Sequence, residues 1–163
     1  MKFALVALTA AALFASATAA QAYDPNATIA DLDARLAKIG AAKVDGTDVV
    51  GDKTVPALFF GERKINNNYD VVDAIRKTHQ ATATVFVKSG DEFVRVSTNV
   101  LTPEGKRGVG TQLARNAAYA AVIAGNQYCG PIDVLGTAFD ACYNPIKDGK
   151  GTIVGVSYIG HKK

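Results

Sequence analysis

The sequence predicts an α+β domain: one antiparallel sheet of about five strands flanked by helices, with an amphipathic helix at its N-terminal side. Three observations predict it. Apolar strand-like segments follow one another from Thr54 to Gly160; short turns such as Ser89-Gly90-Asp91 and the run Lys147 to Gly151 separate several of them; and helical spacing occurs only before and between them. No internal repeat, low-complexity tract or linker divides the chain, so one domain is expected.

The first residues, MKFALVALTAAALFASATAAQAYD, set the compartment. Lys2 precedes an apolar run from Phe3 to about Ala15, and Ala20-Gln21-Ala22 then supplies an A-x-A cleavage pattern. Residues 1–22 read as a signal peptide, leaving residues 23–163 as an exported domain, periplasmic or secreted. The alternative, an uncleaved anchor, meets a run that is alanine-rich and shorter than the ~20 residues a span requires. Nothing after Ala22 reaches membrane-spanning length. The formal net charge is +3, which Lys2 leaves one lower on cleavage, and no basic block stands out. That balance argues against nucleic acid as a partner.

Taken in order, NATIADLDARLAKIG spaces Ile29, Leu32, Leu36 and Ile39 on one helical stripe, with Thr28 and Asp31 resembling a capping box and Gly40 as the stop. Residues 41–53 carry Gly46 and Gly51 among aspartates and read as a loop. TVPALFFG is a strand whose Pro56 suggests an edge or a first residue. A helix follows over NNNYDVVDAIRKTH, capped by asparagine, with Val71, Val72 and Ile75 inward. ATATVFVK and EFVRVSTNV then form a hairpin, and an alanine-rich helix spans roughly 115–124 before Gly125. QYCGPIDVL, TAFDACYNPI and TIVGVSYIG are the closing strands.

Alternation along FVRVSTN puts Val94, Val96 and Thr98 on one face and Phe93, Arg95, Ser97 and Asn99 on the other. Across the turn, Val85 and Val87 match the apolar face. The second face mixes rings, an arginine and small hydrogen-bonding groups, which suits either a pocket wall or a solvated sheet face.

The blocks ATATVFVKSGDEFVRVSTNV, GKRGVGTQL, AGNQYCG and ACYNPIKDGKGTIVGVSYIG, in this order, resemble Cache sensor domains of the Cache 3/Cache 2 group, over about residues 55–160. The resemblance implies a PAS-like sheet flanked by helices. It also implies extracytoplasmic sensing of small molecules, often carboxylates, for chemotaxis receptors and sensor kinases. The sequence departs from the receptor pattern in having no second membrane segment and no output module after the last strand. A stand-alone domain is therefore expected to act through a membrane receptor or sensor kinase.

Arg95 and Arg107 lie on motif positions that the resemblance puts beside the pocket, and a guanidinium can grip a carboxylate through two parallel hydrogen bonds. The alternative for each is a structural ion pair or solvent. Tyr128 and Tyr143 occur in the matching blocks, and a short turn between Leu135 and Ala138 would point both rings to one face, where they either meet a ligand oxygen or fill space. Tyr119 on the alanine-rich helix is a further ligand-binding candidate. The same hairpin keeps Cys129 and Cys142 on one face, opposite or diagonal, so a disulfide competes with two buried thiols.

Enzymatic chemistry finds little footing. Thr111 stands directly after Gly110 where a phosphate loop needs lysine, and Leu113 stands where a dinucleotide loop needs its third glycine. Ile159 breaks the nucleophile-elbow pattern around Ser157. With His79 and His161 the sole histidines, no paired-histidine metal motif forms. No catalytic residue, metal or cofactor is expected. The sequence points to an exported module binding a small organic acid, with Leu101 to Gly110 as its lid; the rival is a ligand-free structural or protein-interaction module.

Overall fold

The computed structural model describes residues 23–163. The expected signal peptide, residues 1–22, lies outside the described residues. Among those described, no helix is long and apolar enough to cross a membrane.

Helix α1 (Pro25–Ile39) starts earlier than its periodicity suggests. Asp24 is the N-cap, its side chain accepting from the Asn26 N–H 2.9 Å away, and Pro25 takes the first turn, where a missing N–H costs nothing. Thr28 is instead a buried residue of the first turns, donating to the Asp24 carbonyl. Ile29, Leu32 and Leu36 are buried as the stripe requires.

Residues expected as a loop form a strand. β1 (Ala42–Val50) pairs antiparallel with β2 (Lys53–Phe60) around the turn at Gly51 and Asp52, and β3 (Arg63–Lys64) adds a short third strand. β1 escapes sequence reading because it is an edge strand, with Val44 to Thr47 all exposed and a bulge between Val44 and Thr47. β3 reaches only Phe59 and Phe60, so β2 is itself an edge at Pro56. There the buried Asn66 side chain replaces a neighbouring strand, donating to the Pro56 carbonyl and accepting from the Leu58 N–H.

Helix α2 (Asp70–His79) buries Val72 and Ile75, while Val71 packs at the margin. Its cap position is Tyr69, which makes no side-chain cap bond; Asn68, one residue earlier, accepts from the Asp70 N–H. β4 (Thr82–Ser89), β5 (Glu92–Thr98), β6 (Tyr128–Val134), β7 (Thr137–Lys147) and β8 (Ile153–Lys162) build the expected five-stranded antiparallel sheet, in the order β5-β4-β8-β7-β6. Helix α3 (Ala117–Ile123) is capped by Asn116, whose side chain accepts from the N–H groups of Ala118 and Tyr119.

The large sheet separates two apolar clusters. One joins α1, α2 and the small sheet to Val85, Val87, Cys142, Ile146 and Ile159; the other joins α3 and the preceding segment to Phe86, Phe93, Phe139, Tyr143, Val156 and Tyr158. Covered on both sides, the central strands read as near-continuous apolar runs.

Candidate functional site

A bulge sorts the side chains of β5. Arg95 lies opposite Phe86 but Ser97 lies opposite Val85, so Val96 has no partner of its own in the ladder and strict alternation fails there. Ser97 and Asn99 consequently turn to α2 and the residues just before it, donating to the carbonyls of Asn68 and Val72 respectively. Thr98 joins the Arg95 face instead, its hydroxyl 2.6 Å from that of Thr84.

On that face the register aligns Tyr128, Tyr143, Tyr158, Thr84 and Thr98 directly across all five strands. The row two residues to one side is small: Gly130, Ala141, Gly160 and Thr82. The row to the other side holds Val156, Phe86 and Arg95. Tyr128 and Tyr158 lie over the glycines two positions on, where a Cβ at Gly130 would sit 3.0 Å from the Tyr128 hydroxyl and one at Gly160 would strike that of Tyr158. Tyr143 and Tyr158 have ring centroids 4.8 Å apart, and Tyr128 follows Tyr143 at 6.2 Å.

Arg95 is 3% exposed. Its Cζ lies 4.8 Å from the Phe86 ring centroid, and its Nη1 donates to Thr111 Oγ1 at 2.8 Å and to the Gln112 carbonyl at 3.3 Å. No carboxylate among the described residues forms an ion pair with it, and its Nε has no hydrogen-bond partner there. Burial pulls its pKa below the usual arginine value, although a guanidinium remains protonated in proteins. Burial pushes the phenols of Tyr143 and Tyr158 well above the ordinary tyrosine range, so both remain neutral O–H donors. The Tyr158 hydroxyl stands 3.1 Å from Thr82 Oγ1.

The other residues singled out by sequence are dispersed. Tyr119 packs edge-on to Phe93 in the same cluster, with its hydroxyl donating to the Asp91 carbonyl at 2.6 Å. Tyr128 stands at the margin, donating to the Pro131 carbonyl. Arg107 is directed to α2: its guanidinium lies over Tyr69 and takes both oxygens of Asp73. Cys129 and Cys142 are directly opposite and form a disulfide, with Cα atoms 4.2 Å apart. Tyr158, Thr84 and Thr98 were not singled out from sequence; the repeated Y-x-G of Tyr128-Cys129-Gly130 and Tyr158-Ile159-Gly160 was a usable signal for the first.

Two surface cavities have other walls. One, of about 360 Å³, includes Arg76, Thr82, Leu101, Phe139 and Lys162; the second, of about 390 Å³, lies between α1 and the end of β7. Neither is lined by Arg95 or by the candidate tyrosines. Arg95, Tyr143 and Tyr158 are themselves almost fully buried, so water barely reaches this side-chain group in this conformation.

A family model described as the Cache 3/Cache 2 fusion domain matches residues 11–163. The chain belongs to this family. No curated protein and no solved structure matches it. The α+β architecture and the five-stranded antiparallel sheet are those of a PAS-like Cache domain. Cache domains are extracytoplasmic modules for small-molecule sensing and are generally not enzymes. Among the described residues of this Cache domain, no group of three or more histidines, cysteines and acids is placed to hold a metal.

Proposed function

We propose that this Cache domain is an exported sensor module that binds a small organic carboxylate at Arg95, with the Tyr143 and Tyr158 hydroxyls as further donors, and signals through a membrane-bound partner. The observation that carries this reading is the state of Arg95: a buried cation with no carboxylate partner among the described residues and an unused Nε. Removing a charge from water costs several kcal/mol even after relaxation. Since Nη1 already serves Thr111 and Gln112, the edge formed by Nε and Nη2 is left for a ligand. A carboxylate fits that edge by two parallel charge-assisted bonds. Tyr128 and Tyr119 border the same cluster with engaged hydroxyls, and Arg107 contributes by holding the covering segment.

Closed packing around Arg95 requires segment 99–116 or α3 to shift on ligand entry, so the ligand must favour the shifted conformation. The same closure favours a second reading, a ligand-free structural or interaction module of the cell envelope.

Calorimetric titration and thermal shift with acetate, pyruvate, lactate, succinate and amino acids separate the two. The sensor reading expects at least one acid to stabilise the wild-type chain, by about 2.7 kcal/mol at a hundredfold excess over Kd. It expects Arg95→Ala to abolish that binding while the fold persists. No stabilisation by any acid, or equal affinity in Arg95→Ala, overturns it.

A further inference from the structure

The opposite face of the sheet carries a separate feature. The cavity of about 390 Å³ between α1, the start of β1 and the end of β7 has a mostly hydrocarbon wall that includes Leu36, Phe60, Pro145 and Ile146. A volume in this range suits a small ligand. Asp33 also lines it, from α1.

Asp33 is a half-buried carboxylate without a cation. Its Oδ1 accepts from Ser157 Oγ at 2.5 Å and its Oδ2 from Asn144 Nδ2 at 2.6 Å, and no lysine, arginine or histidine among the described residues forms an ion pair with it. Burial raises its pKa against the lowering effect of those two hydrogen bonds.

The two other charged residues of the cavity do not neutralise it. Lys147 is exposed, and its ammonium lies beside Gly125, after α3, where an added Cβ would come within 3.7 Å of Nζ. Asp148 is a second carboxylate, and its Oδ1 accepts from the N–H groups of Lys150 and Thr152 within the turn. The balance of charge facing the cavity is therefore negative.

We propose that this cavity binds a small organic ammonium ion with an apolar body, the nitrogen placed on Asp33 and the hydrocarbon against Leu36, Phe60 and Ile146. An ionised carboxylate has about four acceptor positions. Ser157 and Asn144 use one on each oxygen, which leaves one on each for the N–H groups of a primary amine. The ammonium would compensate a charge that the fold otherwise buries at a cost. This site is independent of the Arg95 reading, because it lies across the sheet and selects the opposite charge.

The test is calorimetry and thermal shift with isoamylamine and phenethylamine at fixed ionic strength. Isovalerate and phenylacetate serve as matched anionic controls. Wild-type protein is expected to bind the amines saturably and not the acids at this site. Asp33→Asn, which keeps partners for Ser157 and Asn144, is expected to weaken amine binding at least tenfold, and Arg95→Ala to leave it unchanged. No amine binding by the wild type, or undiminished binding by Asp33→Asn, overturns the proposal. Should Asp33→Asn not fold, Ala37→Phe, which fills the cavity from α1, is expected to abolish amine binding, and undiminished binding by that variant overturns the proposal equally.

Discussion

Arg107 and Asp73 meet through two parallel hydrogen bonds of 2.8 Å each, and Arg107 Nη1 also donates to the Thr98 carbonyl at 2.9 Å. The pair thereby ties the segment after β5 to the first turn of α2. Asp73 raises the Arg107 pKa, with burial opposing it. Both side chains are more than a third exposed, at 35% and 45%, so solvent screens the attraction. Arg107→Ala is expected to cost about 1 kcal/mol in urea unfolding. It should also raise hydrogen exchange over residues 101–110. Unchanged exchange there would deny the segment its tether.

Gly160 is held to glycine by its neighbours rather than by its backbone. A Cβ at that position would run into the Tyr158 hydroxyl, lie 2.8 Å from Tyr158 Cζ and come 3.1 Å from Phe139 Cδ1. Tyr158 and Phe139 are both buried, so neither ring can swing into water. Gly160→Ala is expected to destabilise by about 1–3 kcal/mol, the usual range for overpacking. Adding Tyr158→Phe removes the nearest clashing atom and should recover part of the loss. Strict additivity of the two changes would show that the ring does not lie over the glycine.

The parts of this molecule legible in sequence are those where packing imposes a period. Ile29, Leu32 and Leu36 revealed α1, and strand alternation kept Cys129 and Cys142 on one face while leaving them opposite or diagonal; the structure turns at Leu135 and Gly136 and sets them directly opposite. β1 was illegible because its exposed edge carries no apolar period, only a backbone ladder to β2. The failure at Ser97 and Asn99 has a different origin. Alternation assumes an unbroken ladder, and the bulge at Val96 reverses every side chain beyond it. Arg95, just before the bulge, was placed on its face by simple counting. Arg107 lies in irregular backbone, where no period exists to aim a side chain.

Two aspartates on α1 give opposite pH signatures. Asp33 has its pKa raised by burial, so its folded value exceeds its unfolded one. Its folded state holds a proton more readily, and stability falls as pH rises through the folded pKa. Asp31 has its pKa lowered, chiefly by its hydrogen bond from Arg35, opposed by burial and assisted by His79. Its contribution is present above the unfolded carboxylate range and is lost as pH falls through the folded pKa. Urea melts from about pH 3 to pH 7 should therefore show Asp33→Asn gaining stability over wild type as pH rises, and Asp31→Asn losing it. The same pH trend in both variants would contradict these environments.

The Cys129–Cys142 bridge fastens the outermost strand of the sheet. β6 pairs only with β7 among the described strands, and its residues alternate between exposed and half-buried until Val134 is reached. Cys142 is fully buried beneath α1 while Cys129 is exposed, so the bond anchors an outer strand to the core. The cysteines are 13 residues apart, and closing a loop of that length is worth about 3 kcal/mol in the chain-entropy model. The Cys129→Ser, Cys142→Ala double variant avoids a buried hydroxyl and is expected to lose roughly that amount in urea unfolding. Hydrogen exchange should rise in β6 before β7, because β7 keeps β8 on its other side. Wild-type protein under reductant should reproduce both changes. A midpoint insensitive to reductant, with β6 protected as before, would mean that the apolar cluster around Val134 and Tyr143 holds this edge without the covalent bond.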